Sequence, residues 1–474
     1  MFERYKMLIN GQWQSGNETI EVVNPYNHEL IGTVPKATKQ DVDKAIASAR
    51  AAFKTMADMP AHQRSAILEK TSALIQKHRN ELATLIASEA GKAWKYAIGE
   101  VGRAVETFKF AAEEAKQIHG ETVPMDASVG SEKRMGFFIR TPIGVIGAIS
   151  PFNFPLNLVA HKVAPAIAAG NSLVLKPATS TPLTALKLGE LLMEAGLPDG
   201  GINIIMGGGS TVGDWLVTDP RVAMITFTGS PSVGKYIISR GGLKKYTMEL
   251  GNNSPVIICE DADLDKAIPR CVMGSFANSG QVCISVQRIY VQQTILDAFT
   301  ARFVAATKKQ VVGDPLNKNC DVGPMIDIHE AERAEMWVNE AAEAGAEILI
   351  GGKRTGQMYE PTVLTNVTPA MKVVSDEIFA PVVSILPYDN FDEVLEMVDN
   401  SKYGLQAGIY TQDLNRAFKA VKKINAGGII INDIPTYRVD HMPYGGNKES
   451  GIGREGLKYA IEEMTNIRMV VIEL

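Results

Sequence analysis

Cys283 is the residue of this chain best placed for covalent chemistry. It ends a run of small residues, Asn278-Ser279-Gly280-Gln281-Val282-Cys283, ahead of an apolar stretch. The thiolate is the nucleophilic form of cysteine, so a reactive thiol needs surroundings that favour its ionisation. A Cys–His pair would need distant partners, because His161 and His441 lie far from it in the sequence. Alternatively, Cys283 fills a core, as we expect of Cys259 and Cys271 in their apolar runs.

Two polar side chains could assist such a nucleophile. Glu249 ends a short run before a glycine turn, where a carboxylate could act as a general base. Asn153 stands between prolines and aromatic residues in Pro-Phe-Asn-Phe-Pro at 151–155. The plainer interpretations are a solvated loop carboxylate for Glu249 and, for Asn153, a turn residue that bonds its own backbone. The residues alone leave both choices open.

Two glycine-rich turns, at 207–213 and 229–234, follow apolar runs and precede helical stretches. In that context, backbone N–H groups at a helix N-terminus stabilise a phosphate. Neither turn is the G-x-G-x-x-G fingerprint of dinucleotide binding, and either alone is more often a plain turn. Their occurrence in neighbouring strand–turn–helix units favours a phosphate site.

The order of apolar and helical stretches predicts an α/β fold. In the middle third, short apolar runs alternate with helical patterns such as Thr181 to Ala195, which favours a parallel sheet with crossover helices. The first third is rich in helical patterns, including one from about Pro60 to Ala90 that meets Gly91. A second α/β pattern follows Pro255. The apolar end, Ile467 to Leu474, reads as a strand that must pair with another element, on this chain or on another subunit.

Composition excludes several classes of protein. The 474 residues carry a net charge of −5, which argues against a nucleic-acid partner. The four cysteines include no C-x-x-C pair, which argues against a metal site. So few cysteines in a chain of this length fit a reducing compartment, and we therefore expect a cytoplasmic protein. No apolar run follows the first six residues, so no secretory signal is expected. The uncharged stretch 142–160 is broken by prolines and asparagines, which favours buried sheet and a site loop over a membrane span.

Taken in order, these motifs resemble the NAD(P)-dependent aldehyde dehydrogenase superfamily over essentially the whole chain. The signal lies in the combination, with Glu249 and Cys283 separated by 34 positions. The matching pieces are Pro-Phe-Asn-Phe-Pro at 151–155, Lys-Pro-Ala at 176–178, Phe-Thr-Gly-Ser at 227–230, Glu-Leu-Gly at 249–251, Gly-Gln-Val-Cys at 280–283, Glu-Ile-Phe-Ala-Pro at 377–381, and Pro-Tyr-Gly-Gly at 443–446 with Lys-Glu-Ser-Gly at 448–451.

The resemblance implies a mechanism. Cys283 would attack the aldehyde carbon to form a thiohemiacetal, whose oxyanion the Asn153 amide and the Cys283 N–H would hold. Hydride transfer would leave a thioester, and Glu249 would activate water to hydrolyse it. Lys162 would give electrostatic support or relay a proton, or else it only caps a helix face. Asn252 stands where the family has glycine, which could alter the local turn.

The same resemblance implies a bound dinucleotide. Thr179 occupies a place where relatives that prefer NAD often carry glutamate, so we expect NADP to be used or preferred over NAD. A carboxylate there would repel a 2′-phosphate. The residues expected to contact the cofactor are Lys176, Thr179, Gly209, Gly213, Phe227, Gly229, Ser230, Leu250, Glu377 and Phe379.

The expected substrate is a small polar aldehyde such as lactaldehyde, glycolaldehyde or a semialdehyde. The segment 437–443 is similar to the lactaldehyde and non-phosphorylating glyceraldehyde-3-phosphate branch, but Val282 replaces the arginine of phosphate-using members. Arg438 could bind an anionic group or point to solvent. The alternatives are a non-phosphorylating NADP-dependent glyceraldehyde-3-phosphate dehydrogenase and a CoA-acylating semialdehyde dehydrogenase, and Glu249 argues against the second. The expected pocket residues are Phe154, Asn157, His161, Val282, Ile284, Arg438 and Tyr444.

Domain organisation also follows from the resemblance. Residues 1–118 and 141–251 would form a Rossmann-type cofactor-binding domain, and 252–449 an α/β catalytic domain. Residues 119–140 and 450–474 would form a β-arm that joins subunits. We therefore expect a homodimer or a homotetramer.

Overall fold

The computed structural model describes residues 3–474, and its first large sheet has eight strands. The five central strands run parallel, and most of their residues are buried, which suits the largely apolar sequences of the inner strands. Short antiparallel strands flank them on each side. From edge to edge the strands are Gly451–Ile452, Lys245–Glu249, Val222–Thr228, Val145–Ile149, Ser172–Lys176, Ile202–Ile204, Met7–Ile9 and Gln12–Gln14.

The strand order of this sheet creates a crevice. From Val145–Ile149 the chain adds Ser172–Lys176 on one side, and later returns to place Val222–Thr228 on the other side. In an open α/β sheet, ligands bind beyond the carboxyl ends of strands at such a switch point. Two predicted motifs begin there, because residues 151–155 follow the strand Val145–Ile149 and residues 229–234 follow the strand Val222–Thr228.

The helices around the first sheet begin and end where the sequence supplies caps. Thr38 and Asp41 form a capping box, and Gly91 and Gly196 adopt the left-handed conformation just past helix ends. The stretch predicted from Pro60 to Ala90 is two helices that meet at His78. The helices are Lys39–Asp58, Ala61–Lys77, Arg79–Ala90, Trp94–Glu114, Asn157–Ala168, Leu183–Ala195, Asp214–Thr218, Pro231–Gly241 and Leu457–Glu463.

The second large sheet has seven strands and two cores, one on each face. All of its strands run parallel except Glu347–Ile350 at one edge. Its strands in order are Glu347–Ile350, Thr362–Thr365, Val382–Tyr388, Arg288–Gln292, Pro255–Ile258, Gln406–Tyr410 and Gly428–Ile431. Its helices are Leu264–Phe276, Leu296–Thr307, Ile328–Glu343, Lys372–Ser375, Phe391–Asp399 and Leu414–Lys423.

A three-stranded ribbon stands apart from both sheets. The terminal strand Thr465–Glu473 pairs along its whole length with Arg134–Pro142, which also pairs with Thr122–Val123. The expected pairing of the terminal strand is therefore found within the chain. Several of its apolar side chains remain exposed, among them Ile467 at 61%.

Residues 451–463 differ in position from the predicted arm. Gly451–Ile452 joins the first sheet, and Leu457–Glu463 packs on Trp94–Glu114 and Asn157–Ala168. These residues lie with the first sheet because Leu457 and Ile461 belong to its core. The division into two domains and an arm stays a prediction. No helix among residues 3–474 has both the length and the apolar character needed to cross a bilayer.

The remaining strands are short. Glu3–Arg4, Leu30–Pro35 and Thr19–Val23 form a small sheet near the N-terminus. Arg354–Thr355 pairs with Met358–Tyr359, and Tyr403–Gly404 with Asn447–Lys448. The α/β class predicted from the alternation of apolar and helical runs is confirmed by the two large, mostly parallel sheets.

Candidate active site

The loop that carries Cys283 has an unusual backbone. Asn278, Ser279 and Gly280 all have positive φ, at 51°, 56° and 69°. A Cβ on Gly280 would lie 2.0 Å from the carbonyl oxygen of Ala380, so glycine is required there. This contact fixes the Cys283 loop against the segment 377–381, which is another predicted motif.

Cys283 itself is half-buried, whereas the other three thiols are buried, and all four are free. Its Sγ lies 3.1 Å from the hydroxyl oxygen of Tyr444. Burial raises the pKa of Cys283 to about 11, although the Tyr444 hydrogen bond opposes that rise. In this state the residue is a thiol at neutral pH, and ionisation needs further stabilisation.

Two hydrogen-bond donors belong to the Cys283 loop or contact it. The Asn153 amide is buried and donates one hydrogen from Nδ2 to the carbonyl of Gln281 at 2.9 Å, which leaves its second hydrogen free. The backbone N–H of Cys283 has no partner among the described residues. Asn278 holds the same turn by donating to the Gln281 carbonyl at 3.2 Å. The arrangement therefore provides donors for an oxyanion formed at Cys283.

Glu249 is a buried carboxylate at the end of its strand. Within residues 3–474, neither carboxylate oxygen accepts a hydrogen bond. Burial and the nearby charge of Glu455 raise the pKa of Glu249 well above its usual range, while Arg438 and Lys162 oppose the shift. A buried carboxylate without donors is poised to accept a proton.

A cavity of about 830 Å³ lies at the switch point of the first sheet, and Cys283 is one of its lining residues. Asn153, the predicted oxyanion donor, lines this cavity. Glu249, the predicted general base, does not. Thr179 and Lys162 also lie outside its lining. The predicted cofactor residues that line it are Lys176, Gly209, Gly213, Phe227, Gly229, Ser230, Leu250, Glu377 and Phe379.

The cavity walls suit a dinucleotide. A Cβ on Gly229 would lie 2.4 Å from the Phe227 ring, so this turn stays bare beside the cavity. Ser230 caps the helix Pro231–Gly241 by accepting a hydrogen bond from the Val233 N–H, and both residues line the cavity, so a helix N-terminus borders it. Lys176 supplies a cation, and burial lowers its pKa to about 8. A pyrophosphate and a ribose fit these groups.

Glu377 supplies one of the carboxyl groups that line the cavity. One of its oxygens accepts a hydrogen bond from the backbone N–H of Asn252 at 2.9 Å. Burial raises the pKa of Glu377 to about 7, and this bond opposes the rise. Asn252 has no left-handed backbone, so its substitution for the family glycine leaves the turn unstrained. The altered turn considered from the sequence is not found.

The apolar members of the predicted substrate set come together around the nucleophile. Val282, Ile284 and Tyr444 form a small buried cluster with Leu405, and Phe154 and Cys283 pack against it. The Phe154 ring lies under two cations, with Lys92 Nζ at 3.6 Å and the Arg103 guanidinium at 5.9 Å. These residues surround the Cys283 side chain with apolar and aromatic groups.

The polar members of that set lie in a buried ionic network. His161 and Asn157 both contact Asp440, at 2.7 and 3.1 Å. Arg438 donates to Glu455 at 2.8 Å and is almost wholly buried, so the solvent-facing alternative for Arg438 is wrong. Because most of these charges are buried, each of them needs its partner.

Lys162 belongs to the same network. It is fully buried and donates to Thr228 at 2.7 Å and to Glu455 at 3.4 Å. Burial lowers the pKa of Lys162, and Glu455 opposes this. Burial alone would raise the pKa of Glu455, but Lys162 and Arg438 hold it well below its usual range. Lys162 therefore does not cap an exposed helix face.

Several residues of this network were missed from the sequence. Glu455 is bonded by Lys162 and Arg438, Asp440 by Arg103, and Glu100 by Lys92. The Arg103–Asp440 pair spans 337 positions, so no local spacing links its members. One signal was available, since Glu455 lies four residues after the motif at 448–451, in a stretch that was assigned to the arm.

Comparison with known proteins places the chain in a family. The model of the aldehyde dehydrogenase family matches residues 13–470. A 3-sulfolactaldehyde dehydrogenase of Priestia aryabhattai is 51% identical over 472 residues, covering 100% of this chain and 98% of the relative. A lactaldehyde dehydrogenase of Methanococcus aeolicus is 41% identical and covers 98% and 99%. The chain therefore belongs to the aldehyde dehydrogenase family.

Solved structures agree. An aldehyde dehydrogenase from Physcomitrella patens, complexed with the reaction product succinate, superposes with a TM-score of 0.98 at 43% identity, covering 100% of this chain and 99% of the other. A glyceraldehyde-3-phosphate dehydrogenase from Methanocaldococcus jannaschii, complexed with NADP, gives 0.93 at 40% identity and covers 97% and 100%. The predicted fold, the enzyme class, NAD(P) as cofactor and the predicted branch are confirmed.

Proposed function

We propose that this enzyme oxidises a short aldehyde with an anionic tail to the carboxylate, with 3-sulfolactaldehyde as the first candidate. The observation that carries the reaction is that Cys283 and Asn153 line the same cavity as Lys176, Ser230 and Glu377. The nucleophile, an oxyanion donor and the cofactor groups thus share one space. When bound, the nicotinamide ring supplies the hydride acceptor that the oxidation needs.

The residues of the chain divide the work as follows. Cys283 Sγ forms a bond to the aldehyde carbon, and the Asn153 amide and the Cys283 N–H hold the resulting oxyanion. After oxidation to the thioester, Glu249 removes a proton from a water molecule, which attacks the carbonyl carbon. The C–S bond then breaks and the carboxylate leaves. Lys162 forms an ion pair with Glu455 and so compensates the negative charge that Glu455 places near Glu249.

The charges around the pocket favour an anionic substrate. Lys92 pairs with Glu100 and Arg103 with Asp440, while Lys162 and Arg438 share Glu455. These pairs contain four cations and three anions, so among them one positive charge is in excess whenever Glu249 and His161 are neutral. Burial and Arg438 lower the pKa of His161, which keeps it neutral.

Arg103 is the side chain best placed to meet the anion. It uses Nε and Nη2 to hold Asp440, which leaves Nη1 free. Its side chain is 30% exposed, while its partner Asp440 is 4% exposed. The guanidinium also lies over the Phe154 ring, next to Cys283. A sulfonate or carboxylate two or three atoms from the aldehyde carbon fits this placement better than a long apolar chain.

The test is a panel of aldehydes assayed with NADP and with NAD. We expect 3-sulfolactaldehyde to give the highest kcat/KM, ahead of succinate semialdehyde and lactaldehyde, and we expect no requirement for CoA. Glyceraldehyde 3-phosphate should be poorer, because Val282 stands where phosphate-using relatives carry arginine. Higher kcat/KM values for long-chain or benzyl aldehydes would contradict the pocket assignment, and a CoA requirement would contradict the hydrolytic role of Glu249.

A variant of Arg103 separates the anion subsite from the reaction. Arg103→Ala should raise KM for 3-sulfolactaldehyde about 10- to 100-fold, the effect of losing a hydrogen bond to a charged group. KM for uncharged lactaldehyde should change less than about threefold. Lys109→Ala, an exposed change on the same helix, is the control. Equal losses with both aldehydes would show that Arg103 acts only by holding Asp440.

NADP is the expected cofactor. The Thr179 hydroxyl donates to the carbonyl of Gly207 at 3.0 Å, so a neutral group stands beside the cavity residue Ala178. Lys176 is not ion-paired with any carboxylate among residues 3–474 and donates to the Pro177 carbonyl at 3.2 Å. An unpaired cation next to a neutral residue supports recognition of a 2′-phosphate.

A second copy of the chain is the expected partner. The terminal ribbon exposes Ile467, Met469, Val471 and Ile472 on Thr465–Glu473, and Ile139 on the paired strand. An apolar ribbon of this length in water invites pairing, so we infer that another subunit covers it. Sedimentation should show a dimer or a tetramer, and Met469→Glu should shift it toward smaller species.

A further inference from the structure

The Tyr444 hydroxyl is the side-chain group that contacts the nucleophile. It lies 3.1 Å from Cys283 Sγ, within hydrogen-bond distance for sulfur. The described residues supply no other side-chain hydrogen bond to that sulfur. The reaction scheme above assigns no role to this contact, which involves the atom that must become the nucleophile.

Tyr444 is held in place from two sides. Its backbone N–H and carbonyl both bond to Glu455, at 3.0 and 2.6 Å. The Glu455 carboxylate binds Arg438 at 2.8 Å, and the Arg438 guanidinium lies 3.6 Å from the centre of the Tyr444 ring. Tyr444, Glu455 and Arg438 therefore form a closed loop of contacts that leaves the phenol little freedom.

We propose that Tyr444 is a further catalytic residue, whose phenol O–H donates to Cys283 Sγ and stabilises the thiolate, and that Arg438 is the positioning residue that holds the ring. The proposal rests on the assignment of Cys283 as the nucleophile. Tyr444 keeps its proton throughout, and the thiol proton goes to solvent or to a nearby base. A tyrosine differs from a phenylalanine here by this single donor.

Electrostatics at the ring support this direction of donation. A cation over the face of a phenol withdraws electron density and strengthens its O–H as a donor. Burial raises the pKa of Tyr444 while Arg438 opposes the rise, so the phenol stays protonated and able to donate. A charged acceptor such as a thiolate gains more from the bond than a neutral thiol does.

The test compares thiolate formation in the wild type and in Tyr444→Phe without any aldehyde. The ultraviolet absorbance of the Cys283 thiolate, taken as the difference from Cys283→Ala, should titrate about one pH unit higher in Tyr444→Phe. Alkylation of Cys283 by iodoacetamide at about pH 8 should slow about three- to tenfold, since greater intrinsic nucleophilicity offsets part of the loss of thiolate.

Controls separate this role from a structural one. Tyr26→Phe removes an exposed phenol hydroxyl far from the site in sequence and should leave both readouts unchanged. Arg438→Lys should shift the thiolate titration in the same direction by a smaller amount. Thermal unfolding and NADP binding report whether Tyr444→Phe is folded. An unchanged titration in folded Tyr444→Phe, with a raised KM for the aldehyde, would place the hydroxyl on the substrate and overturn the proposal.

Failure of the Tyr444 proposal and failure of the proposed function give different results. If no aldehyde in the panel is oxidised but the titration shifts, the reaction assignment fails and the Tyr444–Cys283 coupling stands. If aldehydes are oxidised and the titration does not shift, the reaction stands and the role of Tyr444 is wrong.

Discussion

The cofactor cavity and the ionic network are built in opposite ways. The cavity is lined by apolar and aromatic side chains such as Phe227 and Leu250, together with bare glycine turns at Gly209, Gly213 and Gly229. The network behind Cys283 is a set of buried charges, with Glu455 shared between Lys162 and Arg438. The first region presents donors to a ligand, whereas the second pairs most of its donors internally, with the buried Nε of Arg438 left without a partner among the described residues.

The two regions should respond differently to substitution. Backbone donors in a cavity cost little to leave open, because water or a ligand satisfies them. Buried charges tolerate no vacancy, because one removed partner leaves the other unpaired in a medium of low dielectric constant. Changes in the cavity should therefore alter ligand affinity with folding intact, and changes in the network should alter stability. Glu249 belongs to neither pattern, since it is buried and unpaired.

The largest expected effect is at Glu249. Glu249→Gln should lower kcat about 10³-fold, within the range for loss of a general base, because thioester hydrolysis then lacks its base. In the wild type, kcat should rise with pH, because the active form is the carboxylate and its pKa lies well above the usual range. In Glu249→Gln that rise should be absent. Rapid-mixing measurements of NADPH formation at several pH values check this.

The same variant separates the two chemical steps. Acylation does not need the base in its hydrolytic role, so a first-turnover burst of NADPH should persist in Glu249→Gln. Cys283→Ala should show neither burst nor turnover and still bind NADP. Loss of the burst in Glu249→Gln would assign the residue to thiol activation instead.

The network should respond through stability. Glu455→Gln should lower the free energy of unfolding by about 3 kcal/mol, because Lys162 and Arg438 would share one neutral amide. Denaturant unfolding followed by fluorescence measures this, and Glu106→Gln, in a surface pair, should change stability by less than about 0.5 kcal/mol. A loss below about 1 kcal/mol in Glu455→Gln would show that the charges of the network are compensated without Glu455. The expected contrast in stability between the network and the cavity would then be wrong.

The two regions also differ in how well the sequence predicts them. Strand–turn–helix units follow from local patterns, so the turns at 207–213 and 229–234 could be recognised before the structure was known. The Arg103–Asp440 and Arg438–Glu455 pairs depend on how distant segments cross in space. The helix break at His78 was likewise missed, because apolar residues continue on both sides of it.

A smaller effect is expected at the edge of the cavity. Thr179→Glu should lower kcat/KM for NADP about tenfold, because a carboxylate would repel the 2′-phosphate. Activity with NAD should hold or improve, since glutamate can bond ribose hydroxyls. Thr179→Gln, which matches the size without the charge, should alter NADP use by less than about threefold. Equal losses with both cofactors would mean that the Thr179–Gly207 hydrogen bond, and not charge, matters.

The smallest expected effect is a pH dependence of NADP affinity that arises from Lys176. Burial lowers the pKa of Lys176 to about 8, so its ammonium form is lost as the pH rises through that value. Phosphate binding favours the charged form and raises this pKa in the complex, so NADP affinity is full below about pH 8 and declines above it. The 2′-phosphate is fully ionised over this range and contributes no change of its own. Equilibrium titrations should show the dissociation constant of NADP rising a few-fold per pH unit above the midpoint, with a weaker trend for NAD. In Lys176→Gln the pH trend should vanish, and a trend that survives in that variant would assign the titration to another group of the cavity.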